Sequence, residues 1–518
     1  MTHTTPRQPR STGEPAAGPN QLILRRMGID TYGGPVVYMR ADCPVCRSEG
    51  FEAQSRVQLE HDGHRIVATL NVVIEDHLIG VDEAGLSEAA WRMLGAREGD
   101  AVTVSHAPPL DSMSHVRAKV YGERLTERQM AAIVLDVAAG RYAEIHLAAF
   151  LTACAGGRLD EAETVALTRA MTAAGEQLSW PNPPILDKHC VGGLPGNRTT
   201  LLIVPIVAAC GLTMPKTSSR AITSPAGTVD TMATLAPVDL DPAAMRRVVE
   251  REGGCIVGGG AVRLSPADDV LIRIERPLDL DSEGQVVASV MSKKAAAGST
   301  HVVIDIPVGP TAKVRSDAAA RLLTERLVAV GGAVGLQVRV VVTDGRQPVG
   351  RGIGPALEAR DVLAVLNGEP QAPRDLRERA LRLAAEVIEM SSQVAPGAGY
   401  ATARAVLDDG RAWRKFQGIC AAQGGMRELP RAAHTHAVTA QRDGRVAAID
   451  NRRLARVAKL AGAPRAPAAG IDFLAPLGSA VERGQPLFVV HAEAEGVLAY
   501  ALETLRAQPE IVALDEGP

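Results

Sequence analysis

No run of about 18 or more apolar residues occurs in this 518-residue chain, so no transmembrane helix is predicted. Residues 1–19 are rich in Thr, Pro, Arg and Gly and lack the apolar core of a secretory signal. They read as a disordered tail, and a cytoplasmic address is the expectation that follows. Cysteine is scarce: seven in so long a chain make no disulfide framework. An excess of one charge is lacking too. With 56 Lys and Arg against 59 Asp and Glu, the formal net charge is -3. That balance removes any general electrostatic reason to expect a nucleic-acid or membrane partner. Local anion sites need only a few residues and survive the argument.

Cys43 and Cys46 form a lone CxxC, with His61 and His64 downstream. A zinc site is one reading and a structural pair the other. The histidines stand closer than finger spacing and no second Cys pair exists, which favours the structural pair.

At roughly 100–200 residues per domain, two to four domains are expected. Residues 20–108 alternate short apolar runs with turns (34–39, 56–59, 64–74, 102–105) and read as a β-rich domain. Residues 109–182 change to helical spacing, with Thr126 and Gln129 as a capping box. Over 183–430 strands (184–186, 212–216, 302–306, 337–342) alternate with helices (199–210, 242–252, 317–330, 374–390). That alternation predicts a mixed α/β domain with much parallel pairing. Residues 431–518 return to short strands and read as a C-terminal α+β domain. The fold class is therefore α/β, with a helical domain beside a large phosphate-binding α/β domain.

The densest chemistry lies between Asp187 and Asp230. Its first part, DKHCVGGLPGNRTT, runs from Asp187 to Thr200, after an apolar strand and before an apolar helical run. Gly192 and Gly193 can bring backbone N–H groups close to an anion, and the following helix N-terminus adds its dipole. Lys188 supplies a point charge; Thr199 and Thr200 supply hydroxyls. The string is neither a P-loop nor the dinucleotide GxGxxG, and taken alone it reads equally as a tight connection. The second part, KTSSRAITSPAGT from Lys216 to Thr228, again follows a strand and is crowded with side-chain donors. Hydroxyls and guanidinium groups solvate phosphate oxygens well; a Ser/Thr-rich surface loop is the alternative. Adjacent parallel strands would set both turns on one carboxyl edge, where α/β proteins bind ligands. A third cluster comprises Arg273, Arg276, Asp279, Asp281, Ser289, Lys293 and Lys294. It reads equally as solvated surface.

At these residues a family resemblance becomes specific. DKHCVGGLPGN resembles the first phosphate loop of the thymidine/pyrimidine-nucleoside phosphorylases, and KTSSRAITSPAGTVD resembles their second. SVMSKKAAAG is similar to their downstream segment with paired lysines, and residues 347–361, QPVGRGIGPALEARD, are also family-like. The likeness runs from about Gly122 onward. It is nearest to the long second type of these enzymes and to archaeal AMP phosphorylase. It implies a helical domain and a large α/β domain with the active site in the cleft between them. It also implies a homodimer or larger assembly and no metal or organic cofactor, inorganic phosphate being a co-substrate.

Carried over by position, the resemblance implies Lys188, Cys190, Gly192, Gly193, Thr200, Ser218 and Thr228 at phosphate. Cys190 departs from the family's serine, and a thiol is the weaker donor. His189, Arg276, Ser289 and Lys293 would face the base, with Val286 as a wall. Ser219, Arg220, Ala221, Ile222, Thr223, Ser224 and Lys313 would contact a nucleotide. Lys188, His189 and Asp281 form the expected catalytic set, with Asp281 at the proton-donor position of the AMP phosphorylase branch. The leading expectation is phosphorolysis of thymidine or another pyrimidine nucleoside to base and (deoxy)ribose 1-phosphate. A nucleoside monophosphate giving ribose 1,5-bisphosphate is the alternative. A non-catalytic phosphate- or nucleotide-binding module is favoured by Cys190 alone. Phosphoribosyl transfer would need an acidic metal site, and no acidic motif accompanies the glycine loop.

Overall fold

The computed structural model describes residues 20–221, 224–260, 262–278, 282–507 and 510–515, so the tail expected over 1–19 lies outside it. Two compact units form. One ends at Val120 and takes in Asp136–Phe150; the other comprises Tyr121–Leu135 and the chain from Leu151 on.

In the first unit, strands β1 (Gln21–Arg26), β2 (Val36–Arg40), β3 (Arg56–His61), β4 (His64–Val73), β5 (Glu83–Leu86) and β6 (Ala101–His106) close into a barrel. Its order is β1-β5-β2-β4-β3-β6. Leu22 and Leu24, Val37 and Met39, Val57 and Leu59, and Val102 and Val104 point inward at every second position and are buried. The β-rich expectation is met; closure and the parallel pairs β1–β5 and β2–β4 were not legible beforehand. Cys43 and Cys46 are buried in this core. His61 pairs with Asp100 at 3.1 Å, while His64 is exposed. Among the described residues, no three His, Cys, Asp or Glu side chains are placed to hold a metal.

The second unit contains the parallel strands β7 (Leu186–Cys190), β8 (Met214–Ser218), β9 (Gly254–Gly258), β10 (His301–Val308) and β11 (Gln337–Asp344). β10 lies between β11 and β7, β8 pairs with β9, and a parallel bridge from Ile185 to Thr213 joins the two groups. The order is thus β11-β10-β7-β8-β9. From β7 the chain moves outward to β8 and β9, then returns to the other side of β7 for β10. That reversal makes a topological switch point at the carboxyl end of β7, where parallel sheets open a crevice. Helices Thr199–Ala209, Pro242–Glu252, Glu283–Ala296 and Asp317–Ala333 supply the crossovers. The first is buried on all sides from Thr199 to Ala208, as its unbroken apolar run requires.

One strand corrects the sequence reading. Residues 187–190, expected in a turn after a strand at 184–186, lie within β7 and pair with residues 302–305 of β10. So polar a segment sits in a central strand because its charges meet partners from elsewhere in the chain, among them Asp305 and Lys294. The capping box forms as expected: Thr126 N–H donates to Gln129 Oε1 at 2.9 Å, and Gln129 N–H donates back to Thr126 Oγ1 at 3.4 Å.

Beyond the sheet come strands β12 (Gly352–Ile353), β13 (His434–Thr439), β14 (Gly444–Ile449), β15 (Gly470–Phe473), β16 (Ala480–Val481), β17 (Pro486–Ala492) and β18 (Val512–Asp515). They form sheets ordered β12-β15-β17-β13 and β16-β14-β18 around Leu454, Phe473 and Phe488. This is the α+β layer expected there. No helix among the described residues is long and apolar enough to cross a membrane.

Candidate active site

Side chains alternate across a strand, and β7 uses both faces. Lys188 and Cys190 point to one face, Asp187 and His189 to the other.

On the first face, Lys188 is 1% exposed. Its Nζ donates to Thr199 Oγ1 at 2.8 Å and lies 3.6 Å from Asp305 Oδ2. Asp305, from β10, also accepts from Asn197 Nδ2 at 3.1 Å and Thr343 Oγ1 at 2.6 Å. The Cys190 sulfur accepts from Asn197 Nδ2 at 3.3 Å and from Gly192 N–H at 3.4 Å. The departure from serine therefore braces the turn as an acceptor. Burial pushes its thiol up to about 11, so it stays protonated near neutrality.

Gly192 and Gly193 adopt φ of 93° and 80°, left-handed values that favour glycine. At Gly193 a Cβ would stand 2.4 Å from the Lys313 backbone nitrogen, so the turn and the Lys313 segment touch main chain to main chain. Gly193→Ala is accordingly expected to displace the loop and lower turnover by at least about tenfold, since a shift of this size misplaces bound reactants. Steady-state rates would check this, and an unchanged rate would remove the contact from the site's architecture.

Arg198 joins the two donor-rich loops. Its Nη2 donates to Ala226 O at 2.9 Å and its Nη1 to Thr228 Oγ1 at 3.4 Å, while its Nε meets the Glu358 carboxylate. Burial raises the Glu358 carboxyl, with Arg198 opposing. Thr199 and Thr200 open the following helix, which has no side-chain cap at Arg198, so first-turn N–H groups are left for an anion. In the second loop Asp230 Oδ2 accepts from Ala221 N–H at 2.6 Å and Gly227 N–H at 2.9 Å. Arg220 is exposed and lies 3.5 Å from Asp230 and 3.2 Å from Asp239. Ser224 Oγ donates to Ala226 O at 2.9 Å. Ile222 and Thr223 lie outside the described residues.

The second face opens on a cleft whose lining includes His189, Ser218, Ser219, Ser265, Asp269 and Lys293. Val286, Ser289 and Lys293 stand three and four residues apart on helix Glu283–Ala296, hence on one face, and all are half-buried. Lys293 Nζ lies 2.6 Å from Asp268 Oδ2. Behind them, Asp187 meets Lys216 at 2.9 Å and Lys294 at 2.6 Å. Lys216 also donates to Lys188 O at 2.7 Å. Burial pushes Lys294 below the usual ammonium range, with Asp187 opposing. Burial, then Lys294, Lys216, Lys293 and Lys188, holds His189 well below the usual imidazole range. His189 is therefore a neutral imidazole at neutral pH, able to hydrogen-bond but carrying no charge.

The cleft thus gathers His189, Ser218, Ser219, Lys293 and Lys294 of the residues singled out from sequence. Lys188 and Cys190 stand on the other side of β7, and Thr200 in the first turn of helix Thr199–Ala209. The surface reading of the third cluster fails at Lys294, which is 3% exposed. Asp279 and Asp281 lie outside the described residues, as does the side chain of Arg276 on helix Pro266–Leu278. Asp187, Asn197, Arg198, Ser265, Asp268, Asp269, Asp305 and Glu358 were not picked out. Asp305 carried a usable signal: one carboxylate inside the apolar string VVIDIPV must find a cation or donors.

Comparison with known proteins agrees with this architecture. Residues 114–175 match the model "Glycosyl transferase family, helical bundle domain" and residues 182–413 match "Glycosyl transferase family, a/b domain". Residues 445–512 match "Pyrimidine nucleoside phosphorylase C-terminal domain". A crystal structure of anthranilate phosphoribosyltransferase from Thermus thermophilus superposes with a TM-score of 0.51 at 20% identity, covering 60% of this chain and 98% of that one. That is a likeness of fold. "Putative thymidine phosphorylase 2" of Acidovorax sp. (strain JS42) is 67% identical over 98% of this chain and 99% of its own length. "Putative thymidine phosphorylase" of Polaromonas sp. (strain JS666 / ATCC BAA-500) is 68% identical over 95% and 96%. With relatives of this kind matched over nearly its whole length, the chain belongs to the thymidine/pyrimidine-nucleoside phosphorylase family.

Proposed function

We propose that this protein is a pentosyltransferase that cleaves thymidine or another pyrimidine nucleoside with inorganic phosphate, giving free base and (deoxy)ribose 1-phosphate. The observation that carries the reading is the division of labour across β7. Lys188, the Gly192–Gly193 turn and the start of helix Thr199–Ala209 form a cationic, donor-rich face. His189, Ser289 and Lys293 attend the cleft or the helix face beside it. Phosphate held by Lys188, Thr200, Ser218 and Thr228 would attack C1′ in line, which removes much of the entropic barrier. The C1′–N bond breaks and its electron pair leaves with the base. Lys293 stabilises that developing charge, and neutral His189 offers a hydrogen bond rather than a positive charge.

Inorganic phosphate is the only co-substrate this scheme requires. In the first assay, base release from thymidine, uridine, AMP, CMP and UMP is followed with and without phosphate. Phosphate-dependent release from nucleosides is expected. Preferential release from the monophosphates would replace this reading with nucleotide phosphorolysis, in which Ser219 and Arg220, both exposed on the second loop, would meet the 5′-phosphate.

A further inference from the structure

The C-terminal layer has no part in that scheme, yet one residue in it reaches the carboxyl edge of the parallel sheet. Asn451 opens helix Asn451–Leu460 and is 1% exposed. Its Nδ2 donates to Gly345 O at 3.0 Å, and its backbone N–H donates to Thr311 Oγ1 at 3.1 Å. The Thr311 hydroxyl donates in turn to Ile449 O at 3.4 Å. Gly345 follows β11, and Thr311 stands in the loop that leaves the end of β10. The C-terminal layer therefore grips two neighbouring strand ends at once. Asn451 Oδ1 is buried with no hydrogen-bond partner among the described residues. That is costly, and a side chain that only filled space would avoid it.

The contacts continue without slack to the Gly192–Gly193 turn. A Cβ at Gly309 would stand 2.4 Å from the Gly345 carbonyl, so the loop lies main chain to main chain on the end of β11. Gly309 N–H donates to Val314 O at 3.1 Å and Ala312 N–H donates to Gly309 O at 3.1 Å, which closes the loop on itself. On its other side the Lys313 nitrogen abuts Gly193, where a Cβ would stand 2.4 Å away. Backbone packed this closely transmits a displacement, because neither neighbour has room to absorb it.

We infer that Asn451 and Thr311 are positioning residues for inorganic phosphate, holding the Gly192–Gly193 turn in place through the 309–314 loop. The inference rests on the phosphorolytic reading above. Neither residue is placed to touch phosphate; each acts through the main chain between it and the turn. Hydrogen bonds from a turn to an anion weaken steeply with misalignment, so releasing the loop from the C-terminal layer costs phosphate affinity. Ser289 and Lys293 stand on helix Glu283–Ala296, outside this line of contacts, so the hold on the nucleoside is kept.

Three variants of the full chain test this. Thr311→Val keeps the shape and removes the hydroxyl, Thr311→Ser keeps the hydroxyl, and Asn451→Ala removes the donor to Gly345. Initial rates are measured with phosphate varied at saturating nucleoside and the reverse, and inorganic phosphate alone is titrated calorimetrically. Thr311→Val and Asn451→Ala should each raise the KM for phosphate about fivefold, with the nucleoside KM within about twofold of the wild type. The calorimetric Kd for phosphate should rise by the same factor, and Thr311→Ser should match the wild type. A purely structural role would lower the urea midpoint and leave phosphate binding where it was, and that result overturns the inference. So do an equal rise in both KM values, a Thr311→Ser as impaired as Thr311→Val, or a wild type that binds no phosphate. Should Asn451→Ala fail to fold, the two Thr311 variants decide alone. If phosphate binds in a Thr311-dependent manner but no nucleoside is cleaved, phosphorolysis falls and the positioning role stands.

Discussion

Lys188→Met is expected to lower kcat/KM for the preferred nucleoside by at least about a thousandfold, the scale on which a charge aimed at the reacting group acts. The same change should cost about 3–5 kcal/mol of stability, because Asp305 is then left buried without its cation. Methionine nearly preserves volume, which keeps a cavity from confusing the result. The two consequences can be separated. Asn197 and Thr343 still donate to Asp305, so adding Asp305→Asn should restore most of the stability by removing the orphaned charge. It should not restore the rate, since no ammonium remains for phosphate. Urea denaturation and initial rates on the single and double variants would decide. Recovery of turnover in the double variant would reduce Lys188 to a counter-ion of Asp305.

Asp187→Asn is the second large effect and falls mainly on stability. The carboxylate meets two buried ammonium groups, Lys216 at 2.9 Å and Lys294 at 2.6 Å. Losing it strands both, and about 3–5 kcal/mol of destabilisation is expected at pH 7. Burial alone would raise the Asp187 carboxyl; Lys216 and Lys294 outweigh it and hold the group below its ordinary range. A carboxyl depressed in the folded state stabilises fully above its unfolded value of about 3.9. That contribution is lost as pH falls through the folded value. The wild type should therefore lose stability steeply below about pH 4, and Asp187→Asn should show a shallower acid slope from a lower neutral plateau. Urea midpoints from pH 7 to pH 3 would measure both features. A plateau equal to the wild type would show that the two lysines do not depend on Asp187.

Much of the architecture was legible because it is written in local periodicity. Helices expected at 242–252 and 374–390 appear as Pro242–Glu252 and Arg374–Met390, each with a clear apolar stripe. The barrel strands follow from every-second-residue burial. Strand β9, Gly254–Gly258, was missed; it is a five-residue segment, GCIVG, with no alternation to mark it. The DKHC string was misplaced for the opposite reason: its polarity argued for a turn, while its partners made it a central strand.

By itself the sequence determined which loops are rich in glycine and donors, where amphipathic segments begin and end, and which family those strings resemble. Only the tertiary structure decided the fate of each charge. Lys188 meets Asp305 across more than a hundred residues, and Asp187 meets Lys294 across a similar span. Whether a lysine is a solvated surface group, a counter-ion or a ligand for substrate depends on what lies within a few ångströms of its nitrogen. Periodicity along the chain says nothing about that distance. Nor could it show that Ser265 is buried against a cleft without a partner, which is a property of the space around the hydroxyl.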